Sequence, residues 1–304
     1  MVDIRGYAES DAPALDAVRA AVREREGPVW LPGPSPADPA DPQRRCLVAC
    51  VAGAVAGYGW LDWWDEDDGT HLYLLVGTIA PAYRGRGAGT ALLHRQQERA
   101  LAVAWAHGAA PVTFGGNADE SQPDGRKLLL DNGFRLAFTA VLLTCDRLPA
   151  GPAPSLPGGL ELRPVRADHH QRVHAAITEC FAGSGLGYVE FTPAEYRDLV
   201  ERSRDRLDLW CVAWDGDQVA GVVVNVIRPD GSGGTPWVAV RAPWRRRGLG
   251  LALLRHSQAR LAAAGVTSAT VGTVLENRTN SVGLYQRAGY AITRRQPRYR
   301  KLAG

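Results

Sequence analysis

One short pattern constrains this chain more than any other feature, because it is written twice at matching places. Arg84-Gly85-Arg86-Gly87-Ala88-Gly89 and Arg245-Arg246-Arg247-Gly248-Leu249-Gly250 each follow an apolar run and open a helix-forming one. Other similarities keep the same order around them. Ile4-Arg5 followed by Asp11 resembles Leu162-Arg163 followed by Asp168, and Val55-Ala56-Gly57-Tyr58 resembles Val219-Ala220-Gly221-Val222. Further on, Asn132-Gly133-Phe134 resembles Ala288-Gly289-Tyr290. Matches that hold their order while their spacings drift mark an internal duplication, so 304 residues divide into two similar domains. Between them, Asp146 to Gly159 carries four prolines and three glycines, which neither continue a helix nor pair inside a sheet. The expected domains are therefore residues 1–147 and 160–304, joined by a linker over 148–159. A second Pro-rich stretch, Pro32 to Pro42, has too little chain before it to close a domain and reads as a loop.

The second half has the clearer element pattern. Leu160 to Val165 predicts a strand, Asp168 to Phe181 a helix capped by Asp168, and Pro193 to Arg204 a helix opening after Thr192. Leu209 to Trp214 and Val219 to Ile227 flank Asp215-Gly216, a hairpin turn signal. A short strand over Trp237 to Val240 leads into a helix over Gly248 to Ala264, ended by Gly265. Thr267 to Leu275 predicts a strand, and Asn280 to Ala288 a helix closed by Gly289. Tyr290 to Thr293 then resumes as a strand. This order is that of an α+β domain with a mixed, mostly antiparallel sheet flanked by helices.

The duplicated turn is where chemistry concentrates. An apolar strand runs into an Arg- and Gly-rich turn that opens a helix. The unpaired N–H groups at a helix start carry about half a positive charge and suit phosphate oxygens. Glycines at 248 and 250 remove a Cβ that would hold a pyrophosphate off the backbone, and arginines add forked donors. Neither common nucleotide motif fits. A dinucleotide fingerprint needs a third glycine where Leu253 and Leu92 stand, and a P-loop needs a lysine. Lys127 and Lys301 are the only lysines among 35 basic residues. The net charge of +3 does not demand a nucleic acid as partner, and no apolar run nears the ~20 residues of a membrane span. The N-terminus lacks a basic-then-apolar leader, so a cytoplasmic location is expected. Five cysteines with no CxxC pair read as reduced, mostly buried thiols, and no metal is expected.

The turn resembles the acyl-CoA signature of the GNAT superfamily of N-acetyltransferases, Arg/Gln-x-x-Gly-x-Gly/Ala. Arg245-x-x-Gly248-x-Gly250 meets it, and so does Arg84-x-x-Gly87-x-Gly89. Asn280 to Tyr290, with Leu284-Tyr285 and Gly289-Tyr290, resembles the family's last helix. The resemblance covers nearly the whole chain as two tandem GNAT-like domains. It implies acetyl-CoA as cosubstrate, with the pyrophosphate on the backbone of Arg246, Arg247, Gly248, Leu249 and Gly250, behind Arg245. It further implies that the pantetheine arm lies along the strand ending at Val240, with a backbone N–H near Val238 to Val240 polarising the acetyl carbonyl. Asn277 would contact the arm or a water, and Tyr285 would protonate the departing thiolate. In the first half the corresponding positions are Ile79, Arg84, Gly85, Arg86, Gly87, Ala88 and Gly89.

The first half departs from the pattern. Aligning Gly133-Phe134 with Gly289-Tyr290 sets Leu129 opposite Tyr285, so the expected acid is missing. A coenzyme-like pocket without catalysis is therefore expected there. The general base is not evident either, because Thr235 to Val240 holds no carboxylate. Glu276, at a strand end, and Glu190, in the loop Gly183 to Phe191, are the candidates, with a backbone carbonyl or water as the alternative. Together these features predict acetyl transfer to a primary amine of a small molecule by direct attack in a ternary complex. The alternatives are a non-catalytic acyl-CoA sensor or scaffold, or an acyltransferase using another acyl-CoA or a protein amine. A monomer or homodimer without nucleic-acid or membrane partners is expected.

Overall fold

Buried β-branched and aromatic runs build the first unit's sheet. Strands β1 (Val2–Gly6), β2 (Cys46–Val51), β3 (Ala54–Asp65) and β4 (His71–Ile79) pair antiparallel in sequence order. Helix α1 (Ala12–Glu26) lays Leu15, Val18 and Val22, one face at helical spacing, on Val48, Tyr58 and Trp60. Helix α2 (Ala88–Ala106) is the crossover that lets β5 (Val112–Asn117) pair parallel with β4. Helix α3 (Pro123–Asp131) buries Leu129.

The second unit repeats this order. After β7 (Glu161–Leu162) come α4 (His170–Phe181) and α5 (Pro193–Ser203). The hairpin of β8 (Cys211–Asp215) and β9 (Gln218–Ile227) turns at Gly216, and β10 (Gly233–Val240) extends it antiparallel. Helix α6 (Leu249–Ala263) crosses over to β11 (Ala269–Val274), parallel to β10, and α7 (Ser281–Arg287) follows. Thr192 caps α5 as its sequence suggests: its Oγ1 accepts from Glu195 N at 3.2 Å, and Glu195 returns the contact to Thr192 N at 2.8 Å. Asp168, by contrast, does not cap α4; it lies in a 3-10 turn over Ala167–His169 with no side-chain cap bond.

This computed structural model describes residues 1–34, 45–149, 151 and 153–303. Ser35 onward in the Pro-rich loop, and Ala150 and Pro152 of the expected linker, lie outside the described residues. The chain forms two compact units, Met1–Phe138 with Gln296–Gly304, and Thr139–Arg295. Their limits fall away from 148–159 because two strands each run from one unit into the other. In β6 (Arg135–Cys145), Ala140 to Cys145 pair antiparallel with β11 of the second unit. In β12 (Ala291–Leu302), Arg298 to Leu302 pair antiparallel with β5 of the first. The described residues of the expected linker lie in the second unit, where Leu148 N donates to Thr267 O at 2.9 Å and Pro154 O meets His256 Nε2 at 2.9 Å.

The basic run Arg294 to Lys301 lies within β12. Tyr299 is buried in the first unit's core, and Arg300 grips the buried Glu66 carboxylate at 2.6 and 2.7 Å. Burial pushes the Glu66 carboxyl up, with the Arg300 contact opposing it.

Candidate active site

The second unit's sheet opens at one residue. The β10–β11 pairing runs through Gly233, Gly234 and Thr235, opposite Ala269, Thr270 and Val271, and then ends. Pro236 has no N–H to offer a ladder, and β10 bulges against β9 between Gly234 and Trp237. A buried polar knot pins the point of parting. Asn225 Oδ1 accepts from Thr235 Oγ1 at 3.1 Å and from Ser257 Oγ at 2.8 Å, while Asn225 Nδ2 donates to Leu209 O at 2.8 Å. Beyond it β11 stays with β6 to Val274, so the β11-facing backbone edge of Trp237, Val238, Ala239 and Val240 carries no strand. Such an edge can take an extended chain by backbone hydrogen bonds.

This edge runs straight into the Arg-rich turn. Trp244 anchors the turn, buried, with its indole N–H donating to Asp215 at 2.9 Å. Arg241 Nε donates to Glu179 at 2.7 Å. Arg245 folds back, its Nε donating to Val240 O at 2.7 Å, which holds the strand end against the turn. Arg246 adopts φ 61 and Gly248 φ 83, both left-handed, and Gly248 caps α6 with no side-chain bond. The first helical bond is Ala252 N to Gly248 O at 3.1 Å, which leaves the N–H groups of Leu249, Gly250 and Leu251 without a partner in the helix. Arg246 and Arg247 are exposed beside them. An uncapped helix start with two free-standing guanidiniums and a glycine at the cap fits a diphosphate. Gly250 also has a packing role: a Cβ there would meet Leu284 Cδ2 at 3.2 Å, so it brings α6 close to α7.

The remaining predicted residues fall as follows. Tyr285, on α7, is buried in the second unit's core beside Tyr290, with ring centroids 6.4 Å apart. Burial pushes its phenol well above the ordinary tyrosine value, and that of Tyr290 up to about 12. Asn277 shapes the turn into α7, its Oδ1 accepting from Thr279 N at 2.8 Å and Thr279 Oγ1 at 2.6 Å. Glu276 is exposed and accepts from Thr139 N at 2.9 Å, fastening β6 to the end of β11. Glu190 is exposed in the loop after α4. That loop and the end of α4 pack aromatics on β10: Phe191 stacks on Trp237 at 4.5 Å, and Phe181 meets Trp237 edge-on at 5.0 Å. His174 Nε2 meets Phe191 O at 2.7 Å, and His170 Nδ1 meets Tyr196 OH at 2.9 Å. This aromatic wall was not predicted as a set. Its signal is the recurrence of Phe, Tyr and His on α4, α5 and the loop.

The first unit keeps the same outline. The β4–β5 pairing ends at Leu74–Gly115, Gly87 caps α2 at φ 80, and Arg84 Nε donates to Ile79 O at 3.0 Å. Gly85 has φ 72, Ala88 is buried, and Arg86 lies over the Tyr83 ring at 6.0 Å. A Cβ on Gly89 would meet Leu128 at 3.4 Å. Phe134 N donates to Leu129 O at 3.1 Å just as Tyr290 N donates to Tyr285 O at 3.0 Å, so Leu129 stands where Tyr285 does.

Residues 15–111 and 171–290 match the acetyltransferase (GNAT) family, one match in each half. The chain belongs to the GNAT acetyltransferase family. It is 28% identical over 295 residues to the mycothiol acetyltransferase of Geodermatophilus obscurus, covering 92% of this chain and 87% of that one. It is also 32% identical over 131 residues to the mycothiol acetyltransferase of Salinispora arenicola, 42% of this chain and 38% of the other. Among solved structures, a GCN5-related N-acetyltransferase from Sphaerobacter thermophilus aligns at TM-score 0.77 and 24% identity, over 99% of this chain and 95% of that one. A tandem GNAT protein from the clavulanic acid biosynthesis pathway aligns at 0.63 and 16%, over 100% and 99%. These structures share the GNAT fold, and the GNAT chain described here is an acyltransferase with two GNAT regions. Among the described residues no helix is long and apolar enough to cross a membrane, and no group of three His, Cys, Asp or Glu could hold a metal.

Proposed function

We propose that the second unit transfers the acetyl group of acetyl-CoA to a primary amine of a small molecule. The observation that carries this reading is the parting of β10 from β11 after Thr235, beside an uncapped helix start. Backbone N–H groups of Arg246 to Gly250, with the Arg246 and Arg247 guanidiniums, bind the diphosphate. The free edge of Trp237 to Val240 aligns the pantetheine arm as an added strand, and an N–H near Val238 to Val240 polarises the thioester carbonyl.

The amine attacks this carbonyl directly. Its nitrogen forms the new C–N bond, the C–S bond breaks, and the thiolate takes a proton. Tyr285 supplies that proton, and its raised phenol stays protonated at neutral pH. Asn277 offers its amide N–H beside the arm, since its oxygen is committed to Thr279. Of the two carboxylates, Glu276 is engaged with Thr139 N, which favours Glu190, at the aromatic wall, for receiving the amine proton. Phe181, Phe191 and Trp237 bound the acceptor side and favour an amine with an apolar body.

The test is release of free thiol from acetyl-CoA across a panel of small amines. Turnover with at least one amine, lowered about 100-fold by Tyr285→Phe at saturating substrate, is expected. Binding of coenzyme with no thiol release for any amine would make the protein a sensor and defeat the reading.

A further inference from the structure

In the first unit the Arg84 guanidinium is held from three directions. Its Nε bonds Ile79 O at the end of β4, one Nη meets Glu26 at 2.6 Å, and the other lies 3.6 Å from Asp124 at the start of α3. Glu26 ends α1, and its side chain is only 5% exposed. Its second oxygen accepts from Gln122 Nε2 at 2.8 Å, and Gln122 Oε1 accepts from Asp119 N at 3.1 Å in the segment after β5. One buried carboxylate thus ties the end of β4 to the chain that follows β5. Those are the two strands that part after Leu74 and Gly115, so the clasp spans the mouth of the gap between them.

The second unit has the same gap and the same Arg245-to-strand bond, but different residues where the clasp would stand. Counting from Asp11 and Asp168, Glu26 falls opposite Gly183; counting from Gly133 and Gly289, Gln122 falls opposite Arg278 and Asp124 opposite Asn280. Neither the carboxylates nor the amide are repeated. A short-range ion pair with both carboxylate oxygens hydrogen-bonded is a rigid obstacle, because separating its members leaves charges unpaired in a buried place.

We propose that Glu26 closes the first unit's gap to acyl-CoA, so that this chain takes up one coenzyme molecule and not the two its duplicated turn suggests. The proposal rests on reading the second unit as the acyl-CoA site. It is tested by calorimetric titration of the full chain with coenzyme A. One equivalent is expected for the natural chain, and two for Glu26→Ala and for the same-sized Glu26→Gln, with folding checked by thermal melting. Gly248→Val, which spoils the second unit's turn, is expected to bind none. Two equivalents on the natural chain, one equivalent on both folded Glu26 variants, or a full equivalent retained by Gly248→Val would each overturn the clasp. No uptake at all by the natural chain would instead remove the second unit's site, and the proposal with it.

Discussion

The two Arg-Gly turns share their backbone and differ in what their charges do. Gly87 and Gly248 cap their helices at φ 80 and 83, and Arg84 and Arg245 each return a hydrogen bond to the last strand residue. In the first unit the arginine charge is then spent on Glu26 and Asp124. In the second, Arg246 and Arg247 stand exposed beside open N–H groups, and a tyrosine occupies the place of Leu129. The same turn can serve as internal scaffolding or as an anion site. In the clasp proposed above, carboxylates supplied from elsewhere in the chain decide which.

The largest asymmetry is expected at the caps. Valine at 248 forces a β-branched residue into a left-handed conformation, at a cost of about 1–3 kcal/mol, and crowds the diphosphate. Gly248→Val should abolish turnover, whereas Gly87→Val should lower the melting temperature and leave kcat within about twofold. Equal loss of turnover in both would erase the distinction between the units. Next comes the acid. Tyr285→Phe should reduce kcat by about 100-fold with little change in KM for acetyl-CoA, the range of a lost proton donor. Replacing Leu129 by alanine should cost stability, about 2–5 kcal/mol, and not kcat.

Smaller effects separate charge from packing. Arg246→Ala with Arg247→Ala should raise KM for acetyl-CoA several-fold in low salt and less in high salt, with kcat kept, while Arg86→Ala leaves both unchanged. The tyrosines set the alkaline behaviour. Burial raises both Tyr285 and Tyr290 above the ordinary value of 10.0, so the stability they confer is full below that pH. It is lost as pH climbs further, because the unfolded chain ionises first. Melting followed by tryptophan fluorescence should therefore fall above about pH 10, and less so in Tyr290→Phe. The smallest effect is expected at Thr192, where alanine removes a cap worth about 1 kcal/mol and should shift melting by a few degrees.

Much of the second unit was legible locally. The Thr192 cap with Glu195, the Asp215-Gly216 turn, and helices closed at Gly265 and Gly289 all follow from the steric and hydrogen-bonding needs of a few neighbouring residues. Boundaries were less so. The expected strand over Leu160 to Val165 keeps only Glu161 and Leu162 in the sheet, and β10 begins at Gly233, ahead of Trp237. The turn motif located the candidate site, and the order of matches established the duplication. The packing role of Gly250 could not be read, because it depends on Leu284 of another helix.

What sequence alone determined, then, is that two copies of one strand–turn–helix unit exist and that each turn sets a glycine at the left-handed cap of its helix. These are matters of bonds and clashes within a few residues. Only the tertiary structure decided that β6 and β12 complete each other's units, that Glu276 holds a strand, and that Glu26 reaches Arg84. A strand's pattern states that it will pair, without naming its partner, and an ion pair between residues far apart in the chain leaves no periodic trace. Such contacts are fixed by which backbones come within hydrogen-bonding distance once the cores have packed.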